Sequence, residues 1–141
     1  MAIFGLGIKY HDEGIETDMT EVFLSHGVAA VGWTANDNPS LHRLMRCIKT
    51  GDLIFLKTYI RTSSPPALRI RAVGVVIDDN AHDIPNIGTG VNVRWVWTGD
   101  ERLPAPDPYN VRSVALYEEL NPDVQQRILE LLFSTLDGQR C

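Results

Sequence analysis

The pattern of apolar and polar positions divides the chain into short segments. Ile3, Phe4, Leu6 and Ile8 are apolar with glycines between them, which predicts a strand over Ala2 to Lys9. His11 to Glu16 is polar and contains Gly14, so a turn is expected there. Asp18 followed three residues on by Glu21 has the form of a capping box, and Met19, Val22 and Phe23 give the short helix behind it an apolar face that ends at His26-Gly27. Val28 to Gly32 is a continuous run of small and β-branched residues, the pattern of a strand buried on both faces. Asn38-Pro39 then supplies an N-cap and a preorganised first helical position. Behind it Leu41, Leu44, Met45 and Ile48 recur at the spacing of one helix face, with Arg43, Arg46 and Lys49 lying off it.

Thr50-Gly51-Asp52 predicts a turn into Leu53 to Ile60, the strongest strand signal in the chain. Arg61 to Ala67 holds two consecutive prolines and is expected as a loop, with Leu68 to Ile77 returning antiparallel to the preceding strand. After a loop over Asp78 to Thr89, Val91, Val93, Trp95 and Trp97 alternate and are predicted to share one strand face. Gly99 to Asn110, with three prolines, is expected as a surface connection, and Leu116-Tyr117 as a short helical or extended piece. Asn121-Pro122 repeats the helix start, and Val124, Ile128, Leu131, Leu132 and Leu136 mark an amphipathic helix closing at Gly138. The sum is one α+β domain over residues 1–141, built on a compact antiparallel sheet, with 98–141 as a loop plus C-terminal helical extension.

Composition adds limits. Apolar residues at 44% and charged residues at 22% are ordinary for a globular chain. No apolar run approaches the roughly 18 residues of a membrane span, and Met1 to Lys9 has no signal-peptide layout, so a cytoplasmic protein without membrane contact is expected. Cys47 and Cys141 fit no metal-ligand spacing; neither a disulfide, a metal nor another cofactor is expected. The net charge of -5 argues against indiscriminate coating of nucleic acid. The distribution differs from the total: residues 42–71 hold seven Lys and Arg against one Asp. Such a basic centre suits either a selective site for an acidic ligand or a set of solvated faces.

Candidate chemistry gathers around that centre. Trp33 leaves the strand Val28 to Gly32 just before Asn36, Asp37 and Asn38, where its ring would either fill the core or wall a pocket with polar groups at the rim. Lys57, Tyr59 and Arg61 alternate along one strand, a spacing suited to phosphate and stacking contacts, and Arg69 and Arg71 share a face of the paired strand. His11-Asp12-Glu13 places a base beside carboxylates, but neighbours in a turn rarely converge, and no catalytic residue is assigned. Gly5-Leu6-Gly7 lacks the third glycine of a dinucleotide fingerprint, and His42 and His82 read as surface histidines.

Four stretches together resemble a known family. V-G-W at Val31 to Trp33, I-K-T-G-D-L-I-F-L-K at Ile48 to Lys57, I-R-A-V-G-V-V at Ile70 to Val76 and V-N-V-R-W at Val91 to Trp95 are similar to PUA-like domains of the EVE type. The likeness extends to the base-reading domains at the front of modification-dependent restriction enzymes. It covers residues 2–97 and implies a compact PUA-like β-barrel with peripheral helices. It also implies a non-catalytic module that binds nucleic acid, DNA or RNA, and takes a base, often a modified one, in an aromatic pocket. Trp33, Asn36, Asn38 and Tyr59 are then the expected base contacts, and Lys57, Arg61, Arg69 and Arg71 the phosphate contacts. Gly51 and Asp52 would shape the turn into the barrel strand. Two other readings stand beside this one: a homodimeric protein-interaction module using the tryptophan strand, and a small nuclease or hydrolase built on His11, Asp12 and Asp52.

Overall fold

The apolar run at Leu53 organises the fold. In the computed structural model, which describes residues 1–32, 38–104 and 114–140, the chain runs β1 (Ile3–Gly7), β2 (Lys9–Asp12), β3 (Ile15–Asp18), α1 (Thr20–His26), β4 (Val28–Val31) and α2 (Pro39–Arg46). It continues through β5 (Leu53–Ile60), β6 (Ala67–Val76), β7 (His82–Ile84), β8 (Gly88–Pro104), β9 (Leu116–Glu118) and α3 (Pro122–Arg140). Among the described residues, seven strands join in one curled sheet in the order β4-β8-β6-β5-β1-β9, with β7 also on β8, and β2 and β3 form a separate hairpin. The architecture is α+β.

β5 lies inside the sheet, so its alternating side chains must be apolar on both sides. Ile54 and Leu56 enter a core shared with Phe4, Leu6, Phe23 and Met45, under α1 and α2. Leu53 and Phe55 enter a second core with Tyr117, Ile128 and Leu132, under α3. Phe23 and Ile128 are each fully buried, and each such side chain contributes roughly 1.5–3 kcal/mol. The turn before β5 takes the predicted shape: Gly51 has φ of +89°, and the Asp52 carboxylate accepts from the Ala2 and Lys49 amides, both at 2.9 Å.

Several expectations need correction. The sheet is mixed rather than wholly antiparallel, because β1 pairs parallel with β5, Gly7 opposite Lys57, across a connection long enough to hold α1, β4 and α2. Trp95 and Trp97 do not share a face. A register shift where Val73 faces Trp97 and Gly74 faces Trp95 rotates the strand. Trp95 therefore packs on the first core, its Nε1 donating to the Phe23 carbonyl at 3.0 Å, while Trp97 packs on the second. β8 runs on through Gly99 and Asp100 to Pro104, since β6 offers partners as far as Ala67. The turn at His11 to Glu16 is instead a hairpin about Glu13 and Gly14, both at positive φ. The loop at Asp78 contains β7. The expected capping box does not form: the N-cap of α1 is Met19, with no side-chain cap bond, and Asp18 instead accepts from Thr20 N and Oγ1 at 2.9 and 2.6 Å. His42 is buried, and α3 passes Gly138 to reach Arg140.

Candidate ligand cleft

β1 and β5 stay paired only as far as Gly7 and Lys57. Beyond that point β1 gives way to the β2–β3 hairpin, and the hairpin, the exit of β4, the approach to β8 and the end of β5 surround a cleft of about 840 Å³. Its apolar floor includes Leu6, Ile8, Met19, Val31 and Ile87, and its polar and aromatic lining includes Tyr10, Thr17, Thr58, Tyr59, Arg61 and Asn86. Leu6, Ile8 and Tyr10 continue one face of the chain, and Leu56 and Thr58 continue the matching face of β5.

Tyr10 is held on three sides. Its ring meets Phe23 edge to face, with centroids 6.1 Å apart. A Cβ at Gly32 would lie only 3.0 Å from its Cε2, and a Cβ at Gly88 only 3.3 Å from its hydroxyl, so glycine at both positions makes room for the ring. The Tyr10 hydroxyl and the Thr58 hydroxyl are both buried, and neither finds a hydrogen-bond partner among the described residues. Burial pushes the phenol of Tyr10 up to about 12, which keeps its proton in place through the physiological range.

Among the described lining residues Lys9, Lys57 and Arg61 are the strong bases and Glu16 is the single acid, and Lys9 meets Glu16 at 3.0 Å. Arg61 is exposed at the mouth, its guanidinium 6.0 Å from the centre of the Tyr59 ring. Lys57 is buried. Its Nζ donates to the Val114 carbonyl and stands 5.4 Å from the centre of the Tyr117 ring. Burial lowers its ammonium to about 8. Below the hairpin, burial works to raise Asp18, but the bonds from Thr20 and the fields of Arg71 and Lys9 bring it below the usual carboxylate range.

Of the residues singled out in the sequence, Lys57, Tyr59 and Arg61 come together on this cleft. Trp33 and Asn36 lie outside the described residues; Gly32, which precedes Trp33 in the chain, lines the cleft. Asn38 caps α2, its Oδ1 accepting from the Leu41 amide at 3.2 Å. Arg69 is clamped to Asp100 by two bonds of 2.9 Å, and Arg71 donates to the Gly99 carbonyl at 3.2 Å; neither lines the cleft. His11 is on the cleft wall, whereas Asp52 is tied to Ala2 at the opposite end of β1, so those two do not converge. Among the described residues no cluster of three His, Cys, Asp or Glu has the arrangement of a metal site.

Sequence reasoning passed over Tyr10 and Thr58. The available signal was the period-two continuation Leu6-Ile8-Tyr10 and Leu56-Thr58, in which a polar tip follows two apolar residues on a face that leads out of the core. No family model matches the chain, and no curated protein matches it.

Proposed function

We propose that the chain is a PUA-like, EVE-type module that binds nucleic acid without catalysing a reaction and receives a single base, modified bases included, in the cleft at the end of β1 and β5. The observation that carries this reading is the meeting of Tyr59 and Arg61 with Tyr10, Lys57 and Thr58 around one cleft of about 840 Å³. A base swung out of its stack needs an aromatic face to lie against and polar groups at its edge, which offset an unstacking cost of a few kcal/mol. Tyr59 and the basic rim at Arg61 suit a stacked base and its attached phosphate, because a ring and a guanidinium are already side by side there. Trp33 and Asn36 are proposed to act from the chain that follows Gly32, and Arg69 and Arg71 to flank the path of the backbone after leaving their present acceptors.

The salt dependence of binding should follow the number of phosphates that the basic residues neutralise. The test is a titration of single- and double-stranded oligonucleotides, with and without modified bases, at two salt concentrations. The proposal expects binding at low salt that weakens in Tyr59→Ala, Arg61→Ala and Trp33→Ala. No binding at low salt, or full binding by all three variants, contradicts it.

A further inference from the structure

We infer that Arg102, with Arg69 and Arg71, forms a phosphate site on the sheet face beside the cleft, and that the Asp100 carboxylate occupies this site until a phosphate of the nucleic-acid strand displaces it. The site rests on the base-binding reading, which seats one base in the cleft, and it adds where the neighbouring phosphates go.

The register sets these residues in a row. Thr58, at the cleft, is opposite Arg69 on β6, and Arg69 is opposite Arg102 on β8. Residues paired across strands share a face, and the other face is already taken, since Leu68, Ile70 and Leu103 pack with the core under α3. Neighbouring strands are about 4.8 Å apart, so the backbones of Arg69 and Arg102 lie roughly 5 and 10 Å from that of Thr58. Like charges directly opposite each other in a sheet are destabilising, and nothing in the packing of the fold requires this pair. Arg71 lies two residues along β6, its Nε donating to the Gly99 carbonyl at 3.2 Å.

The three guanidinium groups act on one carboxylate. Arg69 grips Asp100 through Nε and a terminal nitrogen, each at 2.9 Å. Those bonds hold the Asp100 carboxyl below its usual range, and the charges of Arg69, Arg102 and Arg71 act in the same direction. Asp18 is the second acid whose field reaches Arg69 and Arg71, whereas Glu101 is turned to Arg127 on α3. Three permanent positive charges therefore share two negative ones. Arg102 is exposed and, among the described residues, has neither an ion pair nor a hydrogen bond of its own. A guanidinium fork takes a phosphate as it takes a carboxylate, by two parallel bonds. Asp100 is itself exposed, and an exposed ion pair is weak, so its side chain gives way to water at little cost. A phosphodiester in its place meets Arg69 and finds Arg102 still unpaired beside it.

The test compares wild type with Arg102→Ala and Asp100→Asn, using a short mixed-sequence single-stranded oligodeoxynucleotide over a series of salt concentrations, with thermal melts recorded without probe. Glu118→Gln is the control, since it removes one negative charge from an exposed position on β9. Arg102→Ala should melt no lower than wild type, bind about threefold or more weakly at low salt, and lose about one from the slope of log affinity against log salt. Asp100→Asn should bind about threefold or more tightly, a gain that Glu118→Gln does not reproduce and that disappears when Arg69→Ala is added. Wild-type affinity and slope in Arg102→Ala, or a folded Asp100→Asn that binds no better than Glu118→Gln, would overturn the inference. If Tyr59→Ala and Arg61→Ala still weaken binding in that case, the base-binding reading stands without it. Absence of binding by wild type and Asp100→Asn alike would overturn both.

Discussion

Lys57 carries a prediction with a definite sign. It is 3% exposed and its ammonium is lowered from the ordinary 10.5 to about 8 by burial. At neutral pH the lysine is charged in the folded and unfolded chains alike, and the folded state bears the full cost of burying that charge. As pH rises through about 8 the folded state releases its proton while the unfolded chain keeps it, so stability rises until about pH 10.5, where both are neutral. The shift corresponds to roughly 3 kcal/mol in total, of which on the order of 2 kcal/mol is gained by about pH 10. Tyr10 sets the upper end of the useful window. Its raised value of about 12 favours the neutral phenol in the folded state, a contribution that is complete below pH 10 and lost as pH climbs toward 12. Urea denaturation of wild type and Lys57→Met from about pH 7 to about pH 10 isolates the term, because every other titrating group is common to both. Wild type should gain about 2 kcal/mol relative to the variant across that range. Parallel stability curves would refute the reasoning, since they would mean that Lys57 has the same proton affinity folded and unfolded.

Two further perturbations probe the supports of the cleft. Gly88 has φ of +147° and an added Cβ would lie 2.2 Å from the Val31 carbonyl oxygen, so Gly88→Ala should lower stability by on the order of 2 kcal/mol in urea denaturation; an unchanged midpoint would contradict that geometry. Asn38→Ala should cost about 1 kcal/mol by removing the α2 cap while leaving oligonucleotide affinity intact. A loss of affinity without a loss of stability would instead make Asn38 a ligand contact.

The legible parts of this fold are those decided by local chemistry. Leu53 to Ile60 reads as a strand because both faces are apolar, and the structure assigns it those bounds. Asn38-Pro39 reads as a helix start because the side chain and the ring each do their work within one turn, and the cap bond is present. What was hidden depends on distant partners. The parallel pairing of Ile3 with Leu53 is set by how the intervening elements cross over, and no local pattern distinguishes it from an antiparallel one. Trp95 and Trp97 part company because the register slips between Val73 and Gly74 of the neighbouring strand, which the alternation along the tryptophan strand does not announce. The cleft was half legible. Lys57, Tyr59 and Arg61 announce themselves by charge and spacing, but Tyr10 lies in a segment that reads as the end of one strand and the start of a turn. Only the hairpin carries it back over the end of β5.

The central claim is that this cleft is where nucleic acid is received. Backbone amide shifts of the isotopically labelled chain, followed while a single-stranded oligonucleotide is added, test it most directly. The account predicts that the largest changes fall together on Ile8 to Thr17, Gly32, Thr58 to Arg61 and Asn86 to Ile87, the segments that surround the cleft. Changes confined to the basic face of α2 at Arg43 and Arg46, or to α3, or no changes at all, would contradict it.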